Sequence, residues 1–227
     1  KRVLVTGAGG SIGSELVRNC LTFDPDLLIL LDQSEHNLFK IGRECDQSKH
    51  PVSFQPVLGD IRDKTLLHRV FASFQPDVVF HAAAYKHVPM QEEHPWEAIL
   101  TNIQGTLNLI DASEDYGVNR FVLVSTDKAV NPTNIMGATK RVAEKLIQSK
   151  AIDSKVKYMA VRFGNVIGSS GSVIPTFQEQ IRNGGPITIT DPKMQRYFMS
   201  ISEAAQLILQ AGAMGAGGEI YVLDMGK

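Results

Sequence analysis

The sequence has little of what a cross-linked, metal-centred or polyanion-binding domain needs. Its 227 residues hold two cysteines, Cys20 and Cys45, both inside helical patterns. That is too few for a disulfide framework, and the pair reads as buried thiols in a reducing compartment. His81, His87 and His94 lie near one another, but their spacings fit no compact zinc pattern and no cysteine joins them, so no metal is expected. Charge of one sign is lacking too. The 23 Lys and Arg against 24 Asp and Glu give a net charge of −1, and the basic residues are scattered, which argues against nucleic acid as a partner. No apolar run reaches membrane-spanning length and no signal-peptide pattern opens the chain, so the chain as given reads as soluble and cytoplasmic. It starts abruptly on Lys1-Arg2-Val3, as the soluble catalytic part of a longer, membrane-anchored protein would.

What the sequence does have is an apolar run, Val3-Leu4-Val5, that breaks into Gly7, Gly10 and Gly13 and then into a helical pattern with Ile12, Leu16, Val17, Cys20 and Leu21 on one face. Strand, tight glycine turn and helix N-terminus together form an anion cradle, because glycines let the backbone approach a pyrophosphate whose charge the free N–H groups attract. Gly7, Gly10, Ser11, Ile12 and Gly13 are therefore candidate dinucleotide contacts. The apolar run Leu27–Leu31 ends in Asp32, about twenty residues past the last glycine, where a dinucleotide fold places the carboxylate that holds a ribose hydroxyl. A cap on the helix starting near Ser34 is the other reading, and the glycine loop favours the ribose.

Strands at Ser53–Val57, Asp77–His81, Phe121–Thr126 and Tyr158–Phe163 alternate with helices, including a long one over Pro95–Tyr116 and another over Asn134–Lys150. The pattern is that of an α/β doubly wound parallel sheet, Rossmann-type, whose ligands bind at the carboxyl ends of the strands. Asp60, with Ile61 beside it, either lines an adenine pocket or caps a helix; Ala82 and Ala83 leave room for a flat ligand. Ser125-Thr126-Asp127-Lys128 ends a central strand with hydroxyl, acid and amine side by side, a catalytic-site pattern for this fold. Residues 1–165 are expected to form the dinucleotide-binding domain. Beyond it the alternation loosens, and residues 166–227 are expected to form a small C-terminal substrate lobe, truncated at its end.

Taken together, Thr6-Gly7-Ala8-Gly9-Gly10-Ser11-Ile12-Gly13, Ala82-Ala83-Ala84-Tyr85-Lys86-His87-Val88-Pro89, Ser125-Thr126-Asp127-Lys128-Ala129, Gly137-Ala138-Thr139-Lys140 and Arg162-Phe163-Gly164-Asn165-Val166 resemble the extended short-chain dehydrogenase/reductase superfamily. Within it the chain resembles the polysaccharide-biosynthesis (CapD-like) family, and there the UDP-N-acetylglucosamine 4,6-dehydratases. The resemblance implies a lyase with a nicotinamide cofactor, a UDP-sugar substrate and a homo-oligomeric state, with a UDP-sugar epimerase as the rival enzyme and a non-catalytic dinucleotide-binding module as a third reading. By that resemblance Lys140 bonds the nicotinamide ribose, Ser125 or Thr126 meets the reacting sugar hydroxyl, and Lys86, Asn165 and Arg196 serve the substrate, the last two at its pyrophosphate. Thr188 approaches the uracil, and the loop from Ser169 to Phe177 closes over the nucleotide.

One departure stands out: where the superfamily has a Tyr-x-x-x-Lys pair, this chain has Met136 and Lys140. A thioether cannot exchange a proton. The missing base is therefore assigned to Asp127, acting through a threonine hydroxyl such as Thr126 and then serving as the acid toward the departing C6 oxygen, with Lys128 as the C5 base. NAD is expected over NADP, because Asp32 would repel a 2′-phosphate and no cation follows it before Lys40.

Overall fold

The computed structural model describes residues 1–168, 173–189, 191, 193 and 197–225. The chain begins β1 (Arg2–Thr6), α1 (Ser11–Leu21), β2 (Leu27–Asp32), α2 (Glu35–Asp46), β3 (Phe54–Leu58), α3 (Lys64–Phe74) and β4 (Val78–His81). Two short helices follow, α4 (Val88–Glu93) and α5 (Pro95–Ala98), then a π-helical turn (Ile99–Gly105) that runs into α6 (Thr106–Asp115). Next come β5 (Arg120–Val124), a 3-10 turn (Asp127–Ala129), α7 (Ile135–Lys150) and β6 (Lys157–Arg162). The remainder is β7 (Asn165–Val166), α8 (Val173–Arg182), β8 (Phe198–Met199), α9 (Ile201–Met214) and β9 (Ile220–Val222).

Seven parallel strands form one sheet in the order β3-β2-β1-β4-β5-β6-β9. The order reverses between β1 and β4, which opens a crevice at their carboxyl ends. Neighbouring side chains on a strand point to opposite faces. Accordingly Val5, Leu28 and Leu30 pack on one side with α1, α2 and α9, while Leu4, Ile29 and Leu31 pack on the other with α3, α6 and α7. This two-sided burial is why the central strands read as unbroken apolar runs. Cys20 and Cys45 are free thiols in the first of these cores, and burial pushes them up to about 12 and about 11.

The C-terminal part departs from the expected boundary. Residues after 165 do not form one separate lobe: β9 is the seventh strand of the main sheet, paired with β6, and α9 packs on it through Ala204, Ala205 and Ile208. Both elements carry apolar faces that the exposed flank of β6 can bury, which holds them to the sandwich. Among the described residues, β7 and β8 pair in parallel as a second, two-stranded sheet apart from the main one. The long helix expected over Pro95–Tyr116 is likewise interrupted at the π-helical turn. There Asn102 turns its side chain to the backbone of Tyr85, and the Thr106 hydroxyl donates to the Asn102 carbonyl at 2.7 Å. Among the described residues no helix is long and apolar enough to cross a membrane.

Candidate functional site

The glycine loop lies flat against the end of β4. Gly7 has φ +66°, and a Cβ there would stand 2.8 Å from the backbone of Ala83. At Gly13 a Cβ would run into the Gly7 carbonyl, so α1 can start this close to the turn only because position 13 is bare. The Gly10 N–H closes the turn onto the Gly7 carbonyl at 3.0 Å. Beside the loop is a cleft of about 220 Å³ lined by Gly7, Gly10, Asp32, Asp60, Ile61, Ala82 and Ala83, so seven of the expected dinucleotide contacts share one cavity. Ser11, Ile12 and Gly13, the first residues of α1, are not among its lining.

Asp32 is buried at the cleft wall. Its carboxylate accepts from Gly9 N–H and Ser34 N–H, both at 2.8 Å. The helix-cap alternative falls away, because Ser34 caps α2 by accepting from Asn37 N–H. Asp60 does not cap α3 either; Asp63 does, and Asp60 instead holds Arg62, whose guanidinium also reaches Glu97. Thr101, on the π-helical turn, lines the same cleft, and its buried hydroxyl has no hydrogen-bond partner among the described residues. A bare-backbone glycine turn, an anchored carboxylate and an unpartnered hydroxyl around one cavity fit a dinucleotide.

The second group lies at the end of β5. Asp127 Oδ1 accepts from Thr126 Oγ1 at 2.9 Å and from Lys128 Nζ at 3.0 Å, and Lys128 Nζ reaches Asn165 Oδ1 at 3.4 Å. Partly exposed Asp127 and Lys128 thus form one acid–amine unit just past the carboxyl end of β5, outside the lining of the dinucleotide cleft, and β7 brings Asn165 to them. Met136 is buried on the first turn of α7. One turn on, Lys140 is buried and donates from Nζ to the Val124 carbonyl at 2.9 Å. Burial lowers its ammonium to about 8, against the opposing pull of the Glu144 carboxylate.

Ser125 departs from expectation. Its hydroxyl is buried and donates to Glu144 Oε1 at 2.7 Å, which leaves Thr126 as the hydroxyl beside Asp127. Glu144, fully buried, also takes a two-pronged bond of 2.6 Å each from Arg162. These bonds hold the carboxylate below its usual range although burial alone would raise it. The sequence reading missed this cluster; its signal is Glu144 one turn beyond Lys140 on the same helical face. Lys86 is exposed on the segment after β4. Thr188 is exposed too, and its side chain and N–H bond Gln180. Arg196 and residues 169–172 of the expected closing loop lie outside the described residues, and residues 173–177 belong to α8. His81 bonds two threonines, and the described residues contain no group of three or more His, Cys, Asp or Glu arranged to hold a metal.

Comparison with known proteins agrees with this architecture. Capsular polysaccharide biosynthesis protein CapD of Staphylococcus aureus is 54% identical over all of this chain, which spans 38% of that protein. The chain also spans 38% of a second curated relative, the probable polysaccharide biosynthesis protein EpsC of Bacillus subtilis, so it covers well under half of either. UDP-N-acetylglucosamine 4,6-dehydratase (inverting) of Campylobacter jejuni is 36% identical over 98% of this chain and 66% of its own length. UDP-glucose 4-epimerase of Rickettsia bellii is 37% identical over 98% of this chain and 65% of its own. Among solved structures, the dTDP-glucose 4,6-dehydratase DesIV of Streptomyces venezuelae, a double mutant with NAD bound, superposes with a TM-score of 0.88 at 27% identity, over all of this chain and 76% of that one. The model of the family described as "Polysaccharide biosynthesis protein" matches residues 3–227, and the chain belongs to that family.

Proposed function

We propose that this chain is the catalytic part of a nucleotide-sugar 4,6-dehydratase that converts UDP-N-acetylglucosamine to a UDP-4-keto-6-deoxy-N-acetylhexosamine, with NAD as its cofactor. The observation that carries the reading is the single oxygen, Asp127 Oδ1, that receives both the Thr126 hydroxyl and the Lys128 amine. Gly7, Gly10 and Gly13 would hold the dinucleotide's pyrophosphate, Asp32 its adenosine ribose and Lys140 its nicotinamide ribose. When bound, the nicotinamide would supply reversible hydride chemistry between C4 and C6, so that the sugar undergoes no net oxidation.

The chain's own residues handle the protons. Thr126, already donating to Asp127, passes the O4 proton to that carboxylate, a role the Met136 thioether cannot fill. The 4-keto group acidifies C5–H, and Lys128 serves as the base for that proton. Asp127, now protonated, gives its proton to the C6 hydroxyl, which leaves as water, and Lys128 returns a proton to C5. The O4 proton thus ends in the water and the C5 proton is replaced. Asn165, hydrogen-bonded to Lys128, sits where it could orient that amine against the substrate.

The 37% identity to UDP-glucose 4-epimerases supports a second reading, epimerisation at C4 without loss of water. Mass analysis of the product from UDP-N-acetylglucosamine separates the two. A product lighter by one water is expected, and unchanged mass with a new C4 configuration would replace the dehydratase by the epimerase.

A further inference from the structure

His81 ends β4 with its ring wholly buried, edge-on to Phe121 at 5.9 Å, and no step above uses it. Each ring nitrogen meets one hydroxyl at 2.8 Å: Nδ1 meets Thr6 Oγ1 and Nε2 meets Thr106 Oγ1. The proton positions follow by counting. A threonine hydroxyl has one hydrogen, and that of Thr106 goes to the Asn102 carbonyl, which can only accept. Nε2 must therefore carry a hydrogen and donate to Thr106. In a neutral ring Nδ1 is then bare, so the Thr6 hydroxyl donates to it, and the Thr6 oxygen faces the Ala83 N–H at 3.4 Å. Burial and the nearby Lys140 cation both work against a second proton on the ring.

The two arms end at different parts of the site. Thr6 immediately precedes Gly7, whose bare Cα rests on Ala83. Thr106 fixes Asn102, whose side chain accepts from Tyr85 N–H at 2.9 Å and donates to the Tyr85 carbonyl and to Thr139 Oγ1, both at 3.0 Å. Thr139 in turn donates to the Met136 carbonyl at 2.8 Å and precedes Lys140 on α7. We propose that His81, held as its Nε2–H tautomer, is a positioning residue that ties the dinucleotide loop at Thr6–Gly7 to the Asn102 brace beneath Met136 and Lys140. Its kinetic consequence rests on the dehydratase reading; its tautomer and its effect on dinucleotide binding do not.

Nitrogen-15 NMR of the chain labelled at histidine, with the His81 signal identified by its loss in a His81 variant, reads the tautomer at neutral pH. A proton on Nε2 is expected, and one on Nδ1 overturns the proposal. Two variants then cut one arm each. His81→Asn places a carbonyl oxygen where Nδ1 stood and keeps the Thr6 arm; His81→Gln places an amide donor near the Nε2 position and keeps the Thr106 arm. His81→Asn should hold NAD affinity within about twofold and lower turnover of UDP-N-acetylglucosamine about tenfold, whereas His81→Gln should weaken NAD titration about tenfold, the scale of one buried hydrogen bond. Equal losses of NAD affinity in both variants, tracking a shared fall in Tm, would reduce His81 to a core residue and overturn the proposal. Should the wild-type chain leave UDP-N-acetylglucosamine untouched, the substrate assignment fails while the tautomer and NAD titrations still decide the role of His81.

Discussion

The carbonyl of Lys128 occupies the space in which a side chain on Gly137 would begin; its carbon is 3.0 Å from where that Cβ would sit and its oxygen is closer still. The first turn of α7, which carries Met136, is thereby pressed onto the 3-10 turn that carries Asp127 and Lys128. Asn134, capping α7 through Gly137 N–H at 2.8 Å, sets the helix start against that turn. A methyl group at position 137 must push the two apart. Gly137→Ala is expected to lower turnover by about 100-fold, as a displacement of about 1 Å can. NAD affinity, held mainly at the glycine loop and Asp32 but also through Lys140 on α7, should fall far less than turnover, so paired turnover and NAD titrations check the prediction.

Removing the acid–amine pair should stop the chemistry and spare the cofactor site. Asp127→Asn and Lys128→Met are each expected to reduce turnover by about 10²–10⁴-fold with NAD binding unchanged. Met136→Leu preserves buried shape and should keep most activity. If it were as inactive as Asp127→Asn, the proton relay through Thr126 would be wrong.

Asp32 should decide between the two dinucleotides. Its carboxylate is fixed by two backbone N–H groups and stands at the cleft wall, where a 2′-phosphate would meet its charge. NAD should bind more tightly than NADP in parallel titrations, and Asp32→Asn should narrow the gap chiefly by weakening NAD.

Lys140 gives a pH dependence of known sign. Its folded value, about 8, lies below its ordinary 10.5 because burial disfavours the ammonium. Between those values the unfolded chain binds the extra proton, so this group's contribution to stability rises with pH across that window. Wild-type stability relative to Lys140→Met should therefore grow by roughly 1–3 kcal/mol between about pH 7.5 and pH 10, measured by urea unfolding. Activity should move the other way and decline as pH passes about 8, since the cationic ribose donor is then lost.

Much of this was legible in the chain because the signals are local. The glycine turn, the apolar run ending at Asp32 and the Thr126-Asp127-Lys128 segment each announce themselves within a few residues, and a parallel sheet follows from strands alternating with helices. What was not legible depends on distant partners. Ser125 and Thr126 are adjacent hydroxyls in sequence just past the end of β5, and only the presence of Glu144 and the 3-10 turn that Thr126 caps turn one inward and leave the other beside Asp127. The π-helical turn at Asn102 needs the Tyr85 backbone to hold it. The placement of α9 and β9 was hidden because the irregular stretch before them reads like a lobe boundary, while the open flank of β6 that accepts β9 leaves no mark in the local pattern.

The claim that Asp127 and Lys128 carry out an elimination is tested most directly by incubating the chain with UDP-N-acetylglucosamine in heavy water and reading the product by mass and NMR. The account predicts a 4-keto-6-deoxy sugar, lighter by the elements of water and carrying deuterium at C5, where Lys128 returns a solvent-derived proton. A product that keeps all its oxygen and shows hydrogen alone at C5 would contradict it.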